Sequence, residues 1–251
     1  VELILDIGNS TINAAFFKDE KIIDISTIVH HNNTIEVPHE FIRTIDLILG
    51  YSVQKIIIAS VSPELTELFG KSITSNTAIK PFIITHDSYS ALKSKYKNIS
   101  ELGIDRLCNI AYAIDKYKDS VIVIDMGSAL TFEIIGKDGS FEGGMILPGI
   151  DLSSRSLGSN TSQLPKIEKK KIDFLIGKNT IECISSGIIN GLSSICDSFI
   201  EKIEKELNTK MKVILTGGDA SLIGEKMERE HKIVENTVLR GAKIIYSDEN
   251  K

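Results

Sequence analysis

One pattern occurs twice in the chain: an apolar run enters an Asp-x-Gly turn, and a second run of residues typical of β-strands leaves it. The first turn is Asp6-Ile7-Gly8, and the second is Asp125-Met126-Gly127, 119 residues further along. Each copy predicts a strand, a tight turn and a second strand. A supersecondary unit repeated at this separation indicates two similar half-molecules and not a short-period solenoid.

The length of 251 residues is enough for two modest domains, each with its own core. No linker rich in Pro, Gly or Ser separates the halves, so the boundary is predicted within regular structure, near Tyr117. The predicted domains are residues 1–117 and 118–251. Both are expected to be of α/β type, because strand and helix patterns alternate after the first strands.

The residues of the two turns suit phosphate groups. A carboxylate at the end of a strand can hold a cation or its waters, and glycine lets backbone N–H groups approach phosphate oxygens. Small hydroxyl and amide side chains add further donors: Asn9, Ser10, Thr11, Ser128 and Thr131. These features predict one nucleotide cleft between the halves. The alternative is an ordinary hairpin turn, which a single copy favours and two matching copies disfavour.

The composition argues against nucleic acid, disulfides and membranes. The chain has 29 basic and 34 acidic residues, and its net charge of −5 gives no general attraction to nucleic acid. The basic run at 166–171, KIEKKK, is interpreted as a solvated loop. Cys108, Cys183 and Cys196 lack the spacing of a disulfide framework, so each is expected as a small buried hydrophobe in a reducing cytoplasm. We expect no membrane-spanning stretch and no signal peptide.

The first third of the chain predicts an antiparallel meander followed by alternating strands and helices. Strands are expected at 3–5, 11–17, 21–29 and 55–61, and a helix at 40–49. Residues 30–33 are interpreted as a polar loop. No carboxylate or thiol completes a ligand set around His30 and His31, so a histidine metal site is not expected.

The stretch YKNISELGIDR, residues 96–106, has the features of a functional loop. Gly103 permits an unusual backbone angle, and Asp105 and Arg106 then open an amphipathic helix. The alternative is that Asp105 merely caps the helix and that Arg106 is a surface partner.

The C-terminal half predicts a long helix at 181–207, with Asn179 or Thr180 as its N-cap. Gly187 and Gly191 lie four residues apart on it and indicate a close-packed helix pair, within or between subunits. A strand at 212–215 ends in a glycine turn, TGGD, and a final helix is expected at 237–246.

Seven short motifs resemble the type III pantothenate kinases: DIGNSTIN (6–13), ASVSP (59–63), GIDR (103–106), DMGSALTFE (125–133), FEGGMILPG (141–149), GKNT (177–180) and TGGD (216–219). Each motif alone is weak, but their joint order and spacing over almost the whole chain are highly specific. The resemblance implies two duplicated ribonuclease-H-like domains of the actin and hexokinase type ATPase group, with an interdomain nucleotide cleft for ATP. It also implies phosphorylation of the primary hydroxyl of pantothenate to 4′-phosphopantothenate, the first step of coenzyme A biosynthesis.

The resemblance implies roles for individual residues. Asp105 matches the position of the family's general base, which would accept the proton of the pantothenate hydroxyl. Its place at a helix start is expected to keep its carboxyl ionised near neutral pH. Residues that would position pantothenate are Tyr96, Gly103, Ile104, Arg106 and, from the second subunit of a homodimer, Thr180. Residues that would surround the ATP phosphates are Asp6, Ile7, Gly8, Asn9, Ser10, Thr11, Ile12, Asn13 and Ser128. Asp6 would also interact with a hydrated divalent metal such as Mg²⁺, and Asp125 would ligate K⁺ or NH₄⁺.

Three positions depart from the family pattern and put ATP affinity and cation dependence in question. Ser10 stands where the family commonly has Thr. In the second turn the family commonly has Asp-x-Gly-Thr-Ala-Thr, so Ser128 retains a hydroxyl and Leu130 lacks one. Two alternatives stay open. One is a regulatory accessory protein of the same family, although no basic helix or helix-turn-helix pattern is evident. The other is a small-molecule kinase of the same fold with another substrate.

Overall fold

The computed structural model describes residues 1–30, 50–160 and 164–249 of the chain. The predicted helix at 40–49, together with His31 and His39, lies outside these residues. The strands in chain order are β1 (Glu2–Ile7), β2 (Thr11–Lys18), β3 (Lys21–Val29), β4 (Lys55–Ser60), β5 (Phe82–Ile83), β6 (Val121–Met126), β7 (Ala129–Ile135), β8 (Phe141–Pro148), β9 (Lys212–Thr216) and β10 (Lys232–Ile233). The helices are α1 (Pro63–Thr77), α2 (Ile104–Lys116), α3 (Ile150–Asn160), α4 (Thr180–Leu207), α5 (Ala220–Gly224) and α6 (Thr237–Glu249), with short 3₁₀ turns at His86–Tyr89 and Ile99–Glu101.

The strands of the described residues form two five-stranded sheets with the same connectivity. The orders are β3-β2-β1-β4-β5 and β8-β7-β6-β9-β10. In the first sheet β1 is antiparallel to β2 and parallel to β4, and in the second β6 is antiparallel to β7 and parallel to β9. The predicted duplication and the predicted N-terminal meander are therefore confirmed. The two Asp-x-Gly turns close equivalent hairpins, β1–β2 and β6–β7.

The chain divides into two compact units. Unit 1 comprises Val1–Leu92, Tyr96–Lys116 and Thr237–Lys251, and unit 2 comprises Lys93–Lys95 and Tyr117–Asn236. The predicted division, at residue 117, differs from these units chiefly in the last helix, which the sequence assigned to the second half.

Contacts of α6 explain why it belongs to unit 1. Thr237 Oγ1 donates to Asn109 Oδ1 of α2 at 2.6 Å, and Lys243 Nζ donates to Glu2 Oε2 of β1, also at 2.6 Å. The backbones of the two helices are so close that a Cβ at Gly241 would collide with the Cys108 carbonyl oxygen. Helices α2 and α6 thus pack as a pair, an association that hydrophobic periodicity along one segment does not reveal.

Each unit has its own hydrophobic core. In unit 1 the core consists of one face of the sheet and α1, which contributes Leu65, Phe69 and Ile73. In unit 2 it consists of one face of the second sheet and α4, which contributes Ile184, Ile188, Ile189, Leu192, Cys196 and Ile200. Burial of each of these leucine, isoleucine and phenylalanine side chains contributes about 1.5–3 kcal/mol. Residues of alternate parity along β1 and β6, including Asp6 and Asp125, lie on the opposite faces of these sheets.

By length and composition alone, α4 is a helix of 28 residues that could span a membrane, contrary to the expectation from the sequence. Half of its most apolar window is buried inside the chain, and its buried residues line the core of unit 2. A core helix passes the same test, because both environments select apolar side chains.

The three cysteines are free thiols. Cys108 and Cys196 are buried as predicted, and burial raises the pKa of the Cys196 thiol to about 12. Cys183 is exposed on α4, so its predicted burial is wrong. It lies in the first turn of that helix, where the packed face of the helix has only begun.

Candidate functional site

The hairpin β1–β2 in unit 1 places Asp6 one residue before the end of β1. The turn is closed by a hydrogen bond from the Gly8 N–H to the Thr11 carbonyl at 2.9 Å. Asp6 faces Asn13 in the antiparallel register, and Asn13 Nδ2 donates to Asp6 Oδ2 at 3.1 Å. Thr27 Oγ1 on β3 donates to Asn13 Oδ1 at 2.9 Å. Two hydrogen bonds therefore link β3 to the carboxylate of Asp6.

The GIDR stretch forms the start of α2. The helix begins at Ile104, so Asp105 lies in its first turn and is not the residue that precedes the helix. Asp105 Oδ1 accepts a hydrogen bond from the N–H of Arg106 at 2.8 Å. A Cβ at Gly103 would collide with this carboxylate oxygen, so a side chain there would displace the Asp105 carboxylate from this position.

Arg106 is only 5% exposed, which rules out the interpretation that it is a surface partner. A buried guanidinium has to be partnered, because an unpaired buried charge is costly. Arg106 takes part in interactions within the described residues, and its positive charge acts on Asp105.

Burial raises the pKa of the Asp105 carboxyl, and the hydrogen bond and positive charge of Arg106 oppose that rise. The net direction is upward, whereas the helix-start argument expected the ionised form to be favoured. Desolvation of the carboxylate outweighs the helix dipole here. A carboxylate with a raised pKa is a stronger base when it is ionised, which suits proton abstraction near neutral pH.

Asp6 and Asp105 act on the same buried thiol. Burial raises the pKa of Cys108 on α2 well above its ordinary value, and the negative charges of Asp6 and of Asp105 raise it further. Coulombic effects on a pKa weaken with distance and are screened by solvent and salt, so charges that act on one buried thiol lie near it. The two acids, 99 residues apart in the sequence, therefore lie in one region of unit 1.

Some predicted site residues cannot offer side chains to a ligand. Ile7 and Ile12 are 0% and 1% exposed and belong to the core of unit 1, and Ile104 is also buried. They can contact a ligand only through their backbones. Asn9 is exposed, and Gly8, Ser10, Thr11 and Tyr96 are partly exposed.

The hairpin β6–β7 in unit 2 repeats the arrangement with different side chains. Asp125 faces Thr131 on β7 and Thr216 on β9 in the sheet register, so three oxygen-bearing side chains form a row. Thr131 is 8% exposed, and its Oγ1 has no hydrogen-bond partner among the described residues. Oxygen ligands in such a row suit a hard cation.

Two glycines, Gly217 and Gly149, lie in close contact with the second hairpin. Gly217 has φ of +88°, and a Cβ there would lie 2.5 Å from Asp125 Oδ1. Gly149 donates from its N–H to the Ser128 carbonyl at 3.0 Å, and a Cβ there would collide with the Gly127 carbonyl oxygen. The sequence marked TGGD only as a glycine turn. Its contact with Asp125 depends on the pairing of β6 with β9, whose register partners Asp125 and Thr216 are 91 residues apart in the sequence.

The basic run at 166–171 is only in part a solvated loop. Lys169 Nζ lies 2.7 Å from Asp151 Oδ2 and 2.9 Å from Asp219 Oδ2. Asp219 is 6% exposed, and burial raises its pKa while Lys169 lowers it. Lys169 thus ties the run to the start of α3 and to the TGGD turn, an ion pair across 50 residues of sequence that charge patterning could not reveal.

The GKNT motif caps the long helix α4. Asn179 is the N-cap, and its Oδ1 accepts from the Glu182 N–H at 3.0 Å. Thr180 is the exposed first residue of the helix and is not needed as the cap. A Cβ built at Gly187 or at Gly191 would have no described atom within 4 Å. The described residues therefore place no close-packed helix against these two glycines, although α4 contacts α3 and α5 elsewhere.

The described residues contain no group of three or more His, Cys, Asp or Glu side chains that could hold a metal ion by themselves. A divalent ion at Asp6 would have to take its other ligands from water and substrate. This is how Mg²⁺ is usually held, with one or two carboxylates and substrate phosphates.

Comparisons with known proteins agree with the motifs. The family described as type III pantothenate kinase matches residues 2–202 of the chain. The type III pantothenate kinase of Sulfurihydrogenibium sp. (strain YO3AOP1) is 34% identical over 246 residues, which cover 95% of this chain and 96% of the relative. That of Finegoldia magna is 36% identical over 261 residues, which cover 99% and 97%.

Solved structures share the fold. A Campylobacter jejuni protein described as a Baf family transcriptional activator has a TM-score of 0.62 at 24% identity, over 99% of this chain and 100% of that one. The activator of the 2-hydroxyisocaproyl-CoA dehydratase from Clostridium difficile, solved with bound ADPNP, has a TM-score of 0.54 at 14% identity, over 99% and 95%. Such likeness shows the fold alone. The fold is the duplicated α/β fold of the actin and hexokinase type ATPases, as predicted.

Proposed function

The chain belongs to the type III pantothenate kinase family, and from this premise we propose how its residues transfer the terminal phosphate of ATP to pantothenate. The primary hydroxyl of pantothenate attacks the terminal phosphorus, the new O–P bond forms, and the bond from that phosphorus to the ADP oxygen breaks. The products are 4′-phosphopantothenate and ADP. Phosphoryl transfer depends mainly on alignment of the acceptor and on neutralisation of charge.

Asp105 is the general base, and it takes the proton that leaves the pantothenate hydroxyl. The single observation that carries this assignment is a partly buried carboxyl in the first turn of α2, whose pKa burial raises, in the same region of unit 1 as Asp6. In a loose transition state the proton leaves late, so a carboxylate is strong enough to accept it.

Arg106, Gly103, Ile104 and Tyr96 position pantothenate. The guanidinium of Arg106 presents a planar set of donors that suits a carboxylate or developing negative charge. Arg106 is 5% exposed, which supports this role. A buried guanidinium is held in one orientation, so the side chain loses little conformational entropy when the ligand binds. Ile104 is buried, so its contribution is through the backbone.

The phosphates of ATP are bound by residues 6–13, with Ser128 as a further hydroxyl contact. The buried Ile7 and Ile12 offer backbone groups only, while the exposed Asn9 and the partly exposed Ser10 and Thr11 offer side chains too. Backbone N–H groups of a glycine turn suit phosphate oxygens, because they donate hydrogen bonds without a charged side chain that would have to lose its hydration.

Two cations complete the charge balance. Asp6 fits a hydrated Mg²⁺, because Asn13 orients one of its carboxylate oxygens through a hydrogen bond of 3.1 Å. Asp125 fits K⁺ or NH₄⁺, because Thr131 and Thr216 flank it with oxygen atoms in the sheet register. When bound, these ions supply positive charge that offsets the charge of the phosphates.

A homodimer in the cytoplasm completes the proposal. Thr180 is exposed and is free of any capping role, and it contacts pantothenate bound to the second subunit. Gly187 and Gly191 on the same helix, with open space beside them, suit close approach of the partner's helix.

The direct test is turnover by the purified protein. With ATP, Mg²⁺ and K⁺ present, pantothenate should be converted to a product in which a phosphoryl group replaces the hydroxyl hydrogen, at the same rate as ADP is released. A panel of other small alcohols, read by ADP release, should show lower activity. No turnover of pantothenate, combined with turnover of another alcohol or with salt-sensitive DNA binding, would overturn the proposal.

A further inference from the structure

His30 covers the phosphate hairpin of unit 1 from the end of β3. Its ring is buried, with the whole residue 5% exposed, and Nε2 lies 3.0 Å from the Gly8 carbonyl oxygen. Because a carbonyl oxygen only accepts, Nε2 carries the ring proton and donates a hydrogen bond to the Gly8 carbonyl. The backbone N–H of His30 also donates to the Ser10 carbonyl at 2.9 Å. One residue therefore engages two carbonyls of the four-residue turn.

This arrangement sets the direction of the peptide groups in the turn. Among the described residues every peptide bond is trans, so each N–H points opposite to the C=O of its own peptide group. The carbonyl of Gly8 points toward His30, so the N–H of Asn9 points away from it. Asn9 is the exposed residue of the turn. His30 thus turns the Gly8 carbonyl toward its buried ring and leaves the Asn9 N–H facing the other side of the turn.

The other ring nitrogen makes a purely structural explanation of His30 weak. Nδ1 is buried and has no hydrogen-bond partner among the described residues. Within the described residues, Nε2 is therefore the ring nitrogen that makes a hydrogen bond, and an apolar side chain of similar size would fill the same space without it. The contact with the Gly8 carbonyl is therefore what the histidine adds at this position.

His86 makes a matching contact on the second loop of unit 1. Its Nε2 donates to the carbonyl of Leu102 at 2.7 Å. Leu102 is 2% exposed and directly precedes Gly103, where the GIDR stretch begins. The bond sets the direction of the peptide group between Leu102 and Gly103, and with it the entry of the chain into α2 and Asp105.

We propose that His30 and His86 are separate positioning residues, His30 for the turn that binds nucleotide and His86 for the loop that binds the alcohol acceptor. This inference rests on the proposed function of those two loops. Neither histidine touches a substrate in it. Each acts through one backbone carbonyl, so each should control the affinity for one substrate and leave the other unchanged.

Substitution of each histidine by leucine tests the division. His30→Leu should raise KM for ATP about tenfold or more with KM for pantothenate unchanged, and His86→Leu should do the reverse, because misplaced binding groups weaken only their own ligand. His30→Gln and His86→Gln should restore the wild-type values, since glutamine Nε2 can occupy the place of the histidine Nε2. His231→Leu is the matched control. Its ring lies 2.7 Å from the carbonyl of Arg229 in unit 2, outside both loops, and both KM values should stay unchanged.

Several results would overturn the inference. Equal increases of both KM values in one leucine variant would indicate that the whole site is disturbed and not one loop. Failure of a folded glutamine variant to restore KM would show that the hydrogen bond to the carbonyl does not position the loop. If a leucine variant does not fold, the glutamine variant is compared with an asparagine variant at the same position. The asparagine side chain is one bond shorter, so its amide should not reach the backbone carbonyl. Equal KM values for that pair would also overturn it. If the unaltered protein does not turn over pantothenate, the proposed function fails first, and ATP binding by His30→Leu, followed by calorimetry, still decides the nucleotide half.

Discussion

Asn13 donates a hydrogen bond from Nδ2 to Oδ2 of Asp6 at 3.1 Å, across the antiparallel pair in which the two residues face each other. Thr27 on the next strand donates to Asn13 Oδ1 and so fixes which way the amide points. In the second hairpin the position equivalent to Asn13 is Thr131, opposite Asp125. The two halves thus share a backbone plan and differ in how the acid at the strand end is held, a difference that suits the two different cations proposed for Asp6 and Asp125.

The Asn13–Asp6 contact predicts a defect in divalent-metal use. Asn13→Ala should lower kcat/KM for ATP and raise the Mg²⁺ concentration for half activity by about 10–100-fold, because groups that orient a metal-binding carboxylate have effects of this size. Thr27→Val should have a smaller effect in the same direction, and Thr27→Ser, which keeps the hydroxyl, almost none. Mg²⁺ titration of initial rates measures this. An unchanged Mg²⁺ requirement in Asn13→Ala would contradict the role given to Asp6.

Asp105→Asn should reduce kcat about 10²–10⁴-fold, the usual contribution of a general base, with the fold intact. Asp115→Asn is the matched control, because Asp115 is exposed at the other end of the same helix and pairs with Lys116. Initial rates and circular dichroism of both variants measure this. A near-normal kcat in Asp105→Asn would refute the assignment of the base.

The raised pKa of Asp105 predicts the pH dependence of stability. The protonated form is favoured in the folded state, so this contribution to stability is complete below the pKa of an unfolded aspartate. It is lost as pH rises through the raised pKa of the folded protein. Asp105→Asn should therefore raise Tm near neutral pH, and the gain should shrink on acidification. Scanning calorimetry over about pH 4–8 tests this, and a gain that grows toward acid would contradict it.

Gly217→Ala should damage the cation site. Alanine at φ of +88° is strained by about 1–3 kcal/mol, and its Cβ would lie 2.5 Å from the Asp125 carboxylate. Activation by K⁺ or NH₄⁺ should be lost or strongly weakened. The neighbouring Gly218→Ala is the control, because a Cβ there has no described atom within 4 Å. Rates titrated with KCl measure the effect, and equal behaviour of the two variants would count against a cation at Asp125.

The proposed contribution of Thr180 across the dimer is tested by mixing subunits. Asp105→Asn and Thr180→Ala homodimers should both be weakly active. A heterodimer of the two, purified with two affinity tags, has one site with both changes and one with neither. It should recover about half of the wild-type activity, since only one of its two sites is intact. Recovery would be absent if Thr180 acts within its own subunit.

Local patterns in the sequence predicted most of the secondary structure that the described residues can test. Both Asp-x-Gly hairpins, the N-terminal meander, the long helix and the final helix are present. The duplicated hairpins led directly to the duplicated sheets, because strand–turn–strand units are encoded by neighbouring residues. The motifs carried the family assignment, which the comparisons confirm.

What the tertiary structure decided depends on residues far apart in the chain. The sequence placed α6 in the second half, but it packs on α2 in unit 1, and the burial of Arg106 rules out the alternative that it is a surface partner. The pKa of Asp105 moves upward because burial outweighs the helix start, and the contacts of Gly217, His30 and His86 follow from strand pairing and loop packing. Composition and periodicity report the conformation of neighbours, whereas desolvation and close approach depend on which distant segments share a space.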